Sequence, residues 1–129
     1  MQVFRWITLT VGLTLASIGG SSTQAASTPE QAVVVHFQYG STDLARLFAL
    51  EDRLESALAG SSLGDYDGNE IATDGSDGFL YLYGPDADRL FQAIEPILRA
   101  TPFMRGANVT KRYGPPEAGV KESKVVISS

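Results

Sequence analysis

Hydrophobic residues along the chain fall into two similar blocks, each an apolar run followed by a helical pattern. The first block has AVVVHFQYG at residues 32–40 and apolar residues at helical spacing over 44–58. The second has FLYLY at residues 79–83 and a comparable pattern over 90–98. β-Branched and aromatic runs that end at glycine predict strands, and apolar residues three and four apart predict amphipathic helices. Each block is therefore predicted to be a strand followed by a helix.

The two blocks also share a short sequence repeat, because Tyr39-Gly40 and Tyr83-Gly84 both precede an Arg-Leu-Phe triplet. Two β-α-β units are what a ferredoxin-like arrangement contains. Shorter polar runs at 66–73 and 108–114 supply the other strands, and KVVIS at the end is compatible with one more. The predicted fold class is α+β, a ferredoxin-like βαββαβ sandwich with a four-stranded antiparallel sheet and two helices on one face.

The two apolar runs are predicted to be the central strands, with the polar runs at the sheet edges. Side chains alternate between the faces of a strand, so each run divides into two sets. We expect the aromatic set to face the helices, because it has more apolar area to bury. That set is Val35, Phe37, Tyr39, Phe79, Tyr81 and Tyr83. The opposite set, Val34, His36, Gln38, Leu80 and Leu82, is the predicted open face and a candidate binding surface.

The second helix has recognisable boundary residues. Asp86 or Asp88 is placed to cap its first turn, and this role is favoured over an anion site at the helix N-terminus. Pro96 lies inside the apolar pattern, where it removes a backbone hydrogen bond and clashes with the preceding turn. A kink or an early break is therefore expected at Pro96.

Residues 1–25 have the layout of a secretory signal peptide, with Arg5 followed by an apolar run and then small residues. The run from Trp6 to Ile18 has 13 residues, too few for a stable membrane-spanning helix. Cleavage after Ala25 would leave a polar lead at 26–31 and a single domain at 32–129. We expect a periplasmic or secreted protein that is not inserted in the membrane once the signal is removed.

Composition excludes several function classes. The 129 residues contain 10 basic and 15 acidic side chains, for a net charge of −5, which disfavours nucleic acid as a partner. The absence of cysteine excludes disulfides and thiol catalysis, and a single histidine excludes zinc sites built from several histidines within one chain. No cofactor is predicted.

The segment from Asp65 to Asp77 is the richest in potential oxygen ligands. Asp65, Asp67, Asn69 and Glu70 are the candidate metal ligands, because calcium requires several oxygens from one region. The EF-hand spacing fails, and Asp-Gly and Asn residues are also typical turn residues, so turns are favoured over a calcium site.

His36 is a candidate catalytic base that could pair with Glu70 across the open face. A structural role is favoured for it, since one residue does not make a catalytic site. The sequence contains no nucleophile elbow and no phosphate-binding loop.

The leading hypothesis is a small non-enzymatic binding module that acts through the open sheet face or an edge strand. Its expected partner is a second copy of the chain or another envelope protein, because an open and half-apolar face is usually covered. The alternative is a calcium-binding or weakly hydrolytic protein that uses the acidic segment and His36.

The motifs YDGNE, YGPDAD within LYLYGPDADRLF, and RYGPP resemble those of a family of small uncharacterised bacterial proteins. The resemblance extends from about His36 to Pro116. It implies a ferredoxin-like shape but no activity or catalytic residue, because the family has none assigned. Its members mostly lack a signal peptide, so export would separate this chain from any cytoplasmic role that they share.

Overall fold

The computed structural model describes residues 30–128 and the backbone of a short strand near the N-terminus. The strands are β1 (Gln2–Arg5), β2 (Gln31–Gln38), β3 (Asp65–Ile71), β4 (Asp77–Gly84), β5 (Asn108–Arg112) and β6 (Glu122–Val126). The helices are α1 (Ala45–Leu58) and α2 (Ala87–Arg99), and a 3₁₀ turn at Pro102–Met104 follows α2.

The strands form one antiparallel sheet in the order β1-β3-β4-β2-β5-β6. Strands β2 to β5 with the two helices reproduce the ferredoxin-like layout, and β6 is the extra C-terminal strand. The predicted fold class is thus confirmed. The two apolar runs, β2 and β4, are neighbours at the centre. The prediction that the polar strands are edges is wrong, because β1 pairs with β3 and β6 pairs with β5.

Strand β1 falls within the segment predicted to be a signal peptide. Its backbone pairs with the outer edge of β3, with Gln2 opposite Ile71 and Arg5 opposite Gly68. The apolar run of the predicted signal, its cleavage position after Ala25 and most of the polar lead lie outside the described residues.

The core lies between the sheet and the two helices. Strand β2 directs Val35 and Phe37 into it, as predicted, and Val33 is buried on the same face. The two faces of strand β4 are the reverse of those predicted. Leu80 and Leu82 point into the core, where they are 0% exposed and lie opposite Val35 and Val33. The aromatic residues of β4, Phe79, Tyr81 and Tyr83, are half-buried on the other face.

This inversion has a physical reason. A tyrosine hydroxyl in a closed core needs a hydrogen-bond partner, whereas at a sheet surface it can reach side chains and water. The leucines of β4 carry no polar atom and pack against the leucine-rich faces of α1 and α2. Leu80 and Leu82 therefore belong to the core, and the prediction that they are part of the binding surface is wrong.

The boundaries of α2 are those of a capped helix. Asp86 is the N-cap, and its Oδ1 accepts a hydrogen bond from the backbone N–H of Arg89 at 3.1 Å. The capping role is confirmed, but the early break at Pro96 is not, since α2 continues to Arg99. Within the described part of the chain, no helix is both long enough and apolar enough to cross a membrane.

Candidate functional site

The face of the sheet opposite the helices carries three rings in a row, which we call the aromatic strip: His36, Phe79 and Tyr81. His36 stacks on Phe79 with ring centroids 4.5 Å apart and an interplanar angle of 17°. Phe79 and Tyr81 are also nearly parallel, at 17°, with centroids 6.2 Å apart. Because these residues lie on the two central strands, the aromatic strip occupies the middle of the open face. Val34 lies beside it, opposite Tyr81.

His36 is held in place by two neighbours. Its Nε2 lies 2.8 Å from Oδ2 of Asp77, and its ring packs on Phe79. The hydroxyl of Ser76 lies 3.5 Å from the other oxygen of Asp77 and donates a shorter bond, of 2.6 Å, to Asp74. In a catalytic relay the histidine stands between the carboxylate and the nucleophile. Here the carboxylate stands between them, so these three residues do not form a nucleophile–base relay.

Tyr81 is the other polar member of the strip. Partial burial, together with the nearby carboxylate of Glu70, raises the pKa of Tyr81 to about 12. The phenol therefore stays protonated at neutral pH and acts as a hydrogen-bond donor. Glu70 lies on β3 opposite Phe79 and does not contact His36 through any described hydrogen bond. The predicted pairing of His36 with Glu70 is thus wrong, because Asp77 takes that place.

Charge is divided across the open face. Asp65 and Glu70 occupy open-face positions on β3, and Asp77 is the first residue of β4. On the other side of the aromatic strip, Arg112 on β5 and Lys124 on β6 occupy open-face positions, and Glu122 on β6 lies opposite Arg112. The face is therefore acidic toward β3, whereas toward β5 and β6 it carries both signs of charge with a small basic excess. Val126 at the end of β6 adds an exposed apolar side chain, with 58% of its surface accessible.

The four candidate metal ligands do not converge. Asp65 is exposed, Asp67 lies at a β-bulge, and Glu70 is on the open face. Asn69 points to the opposite face and is 1% exposed in the core. Among residues 30–128, no group of three or more His, Asp or Glu side chains could hold a metal ion. The calcium site that the sequence suggested is therefore not formed by these residues.

The rest of the acidic segment forms a turn between β3 and β4. Oδ1 of Asp74 accepts hydrogen bonds from the backbone N–H and the hydroxyl of Ser76, and these bonds lower the pKa of Asp74. Gly75 follows with φ of 74°, a left-handed conformation that suits glycine. Its carbonyl accepts from Gly40 and Ser41, which ties this turn to the loop before α1.

A second polar group lies inside the core, and we call it the buried polar cluster: Glu51, Tyr66 and Asn69. The hydroxyl of Tyr66 donates to Oε1 of Glu51 at 2.9 Å, and the side-chain amide of Asn69 donates to the same oxygen. Burial raises the pKa of Glu51, although both hydrogen bonds act in the opposite direction. Burial and the Glu51 charge also raise the pKa of Tyr66. Oδ1 of Asn69 is buried without a hydrogen-bond partner.

The sequence analysis did not identify this cluster, although one sign of it was present. Glu51 falls on the apolar face of α1, between Leu47 and Leu54, where a charged residue is unexpected. Its partners come from β3, and no local pattern links them to the helix. Of the predicted surface residues, Val34, His36 and Gln38 do lie on the open face.

Neither the protein-family models, nor the curated proteins, nor the solved structures give a match to this chain. A functional proposal must therefore rest on the open face itself.

Proposed function

We propose that this protein is a small exported binding module, without catalytic activity, that associates with a second copy of itself through the open face. The observation that carries the proposal is the aromatic strip, whose parallel rings lie at the centre of a sheet face and are only half-buried. Aromatic side chains at the centre of a surface are the usual anchors of protein interfaces. A face with this composition gains free energy when it is covered.

The charge distribution favours a second copy as the partner. A twofold axis parallel to the strands, between β2 and β4, would place the β5–β6 side of one copy over the β3 side of the other. Arg112 and Lys124 would then face Asp65 and Glu70 across the interface, while the aromatic strips pack at the centre. These two contacts make the surface partly complementary to itself, with Glu122 of β6 as the acidic residue on the basic side.

Truncation of the aromatic strip tests this proposal. Tyr81→Ala is expected to weaken self-association by about 2 kcal/mol, roughly 30-fold in the dissociation constant, because it removes a central aromatic anchor. Sedimentation velocity over a range of protein concentrations measures the change. The matched control is Phe48→Ala on α1, which truncates an aromatic residue outside the open face, with 39% of its surface accessible. This control should dimerise as the unmodified protein does.

A charge exchange tests the orientation of the two copies. Glu70→Lys and Lys124→Glu should each weaken the dimer, and the double variant should restore it, because both charges change sign together. A protein that is monomeric at every concentration would contradict self-association and leave another envelope protein as the partner to seek by crosslinking. Dissociation by Phe48→Ala with no effect of Tyr81→Ala would move the interface to the helical side.

Export through residues 1–25 is part of the proposal and has a structural consequence. Removal of the leader after Ala25 also removes β1, which leaves the outer edge of β3 without that partner strand. We expect the protein recovered from the periplasm or the medium to begin at or close to Ala26, as mass spectrometry of the intact chain would show. A chain that accumulates inside the cell and retains Gln2–Arg5 would contradict export.

A further inference from the structure

A cavity of about 220 Å³ lies on the helical side of the molecule, away from the open face. It is bounded by α1, the end of α2 and the 3₁₀ turn. Its apolar wall comes from Ala49, Leu50, Ala100, Pro102 and Phe103, and the polar residues that line it are Arg46, Arg53 and Thr101. An apolar cavity of about 150 Å³ is large enough for a benzene ring. This cavity therefore has room for one ring or a short alkyl chain.

The two arginines give the cavity a positive rim. They are seven residues apart on α1, two turns of helix, so that they lie on the same side of it. In the part of the chain that the structure describes, neither arginine belongs to an ion pair. No acidic residue lines the cavity. In a chain of net charge −5, this is a local concentration of unneutralised positive charge.

Arg46 is also oriented before any ligand arrives. Its guanidinium lies 5.2 Å from the ring centroid of Tyr39 and 5.7 Å from that of Phe103. The two rings meet edge to face, with centroids 5.1 Å apart, which fixes the platform under the guanidinium. An arginine stacked on aromatic rings keeps its planar fork of donors available for a carboxylate and loses little side-chain entropy on binding.

We propose that this cavity binds a small monocarboxylic acid whose ring or short alkyl chain enters the apolar wall while its carboxylate meets Arg46 and Arg53. The wall selects an apolar body, and the two arginines that line the cavity select a planar anion that can accept bidentate hydrogen bonds. The cavity volume limits the ligand to about the size of a phenyl ring with a two-carbon arm. This site is independent of the dimer interface proposed for the open face.

The experiment is a titration of the purified protein with 3-phenylpropionate, followed by calorimetry and by amide chemical shifts. Saturable binding is expected, with shifts centred on α1 and the 3₁₀ turn. Arg46→Gln and Arg53→Gln should each weaken binding by about tenfold or more, because each removes a charge-assisted hydrogen bond. Arg89→Gln, in the first turn of α2 and remote from the cavity, is the matched control and should bind as the unmodified protein does.

Further probes separate the contribution of the carboxylate from that of the apolar body of the ligand. The uncharged analogue 3-phenylpropanol should bind at least about tenfold more weakly, and inorganic phosphate should not compete, since it has no apolar body. Equal binding of the alcohol, effective competition by phosphate, an equal loss in Arg89→Gln, or no saturable binding would each overturn the proposal. Tyr81→Ala should bind 3-phenylpropionate normally, so the outcome does not depend on self-association.

Discussion

Leu80→Ala is expected to lower the free energy of unfolding by about 3 kcal/mol, the usual cost of truncating a fully buried leucine. Leu80 is 0% exposed and lies on the central strand β4, opposite Val35 on β2 and Asn69 on β3. The cavity that the truncation leaves is closed on one side by the sheet and on the other by the helices. The loss is measured by chemical denaturation monitored by circular dichroism.

The neighbouring residue on the same strand is the matched control. Tyr81→Ala removes more atoms than Leu80→Ala, but it removes them from the half-buried open face, and we expect a loss of about 1 kcal/mol from the ring contacts. Both proteins should be compared at a concentration below that of dimer formation, since association itself adds to apparent stability. A larger loss for Tyr81→Ala than for Leu80→Ala would mean that the aromatic side of β4 faces the helices.

The relative stability of these two variants tests the orientation of β4, which the sequence analysis predicted incorrectly. The strands and helices were predictable because their apolar runs are long and end at glycine or at a capping residue such as Asp86. The faces of β4 were not, because both of its sides are apolar and alternation alone cannot choose between them. The choice depends on what each side meets, leucine-rich helices on one side and Glu70 with water on the other.

The candidate sites were harder to predict for a related reason. The aromatic strip joins residues of β2 and β4 that are about 40 positions apart, and it forms only when the register between these strands is known. Asp77, and not Glu70, is the partner of His36, because that register places the start of β4 opposite Gln38, two residues from His36 on the same face. The position of Asn69 depends on a bulge at Tyr66 and Gly68, and a bulge shifts every later side chain to the other face.

Glu51 is expected to show opposite effects with its two simplest replacements. Glu51→Ala leaves the hydroxyl of Tyr66 and the amide of Asn69 without their shared acceptor inside the core, and it should lower the free energy of unfolding by about 3 kcal/mol. Glu51→Gln keeps an acceptor oxygen and removes the charge. It should therefore be at least as stable as the unmodified protein at neutral pH.

The pH dependence gives the sharper test, and its direction follows from burial. The pKa of Glu51 is raised in the folded protein, so the native state binds a proton more tightly than the unfolded chain does. The stability that this proton provides is fully present below the ordinary pKa of 4.5, and it is lost as the pH rises through the raised value. The advantage of Glu51→Gln over the unmodified protein should thus be absent at acidic pH and grow toward neutral pH.

A glutamate outside the helix separates this effect from a general change in charge. Glu117 is exposed in the turn between β5 and β6, and Glu117→Gln alters the net charge by the same amount at a residue that does not contribute to the raised pKa of Glu51. The stability of this variant relative to the unmodified protein should vary little between about pH 4 and pH 8. Denaturation curves recorded across that range measure the free energy of unfolding of both variants. The opposite result, in which Glu51→Gln becomes less stable than the unmodified protein as the pH rises, would contradict this prediction. It would mean that the hydrogen bonds from Tyr66 and Asn69 stabilise the Glu51 carboxylate by more than its burial destabilises it.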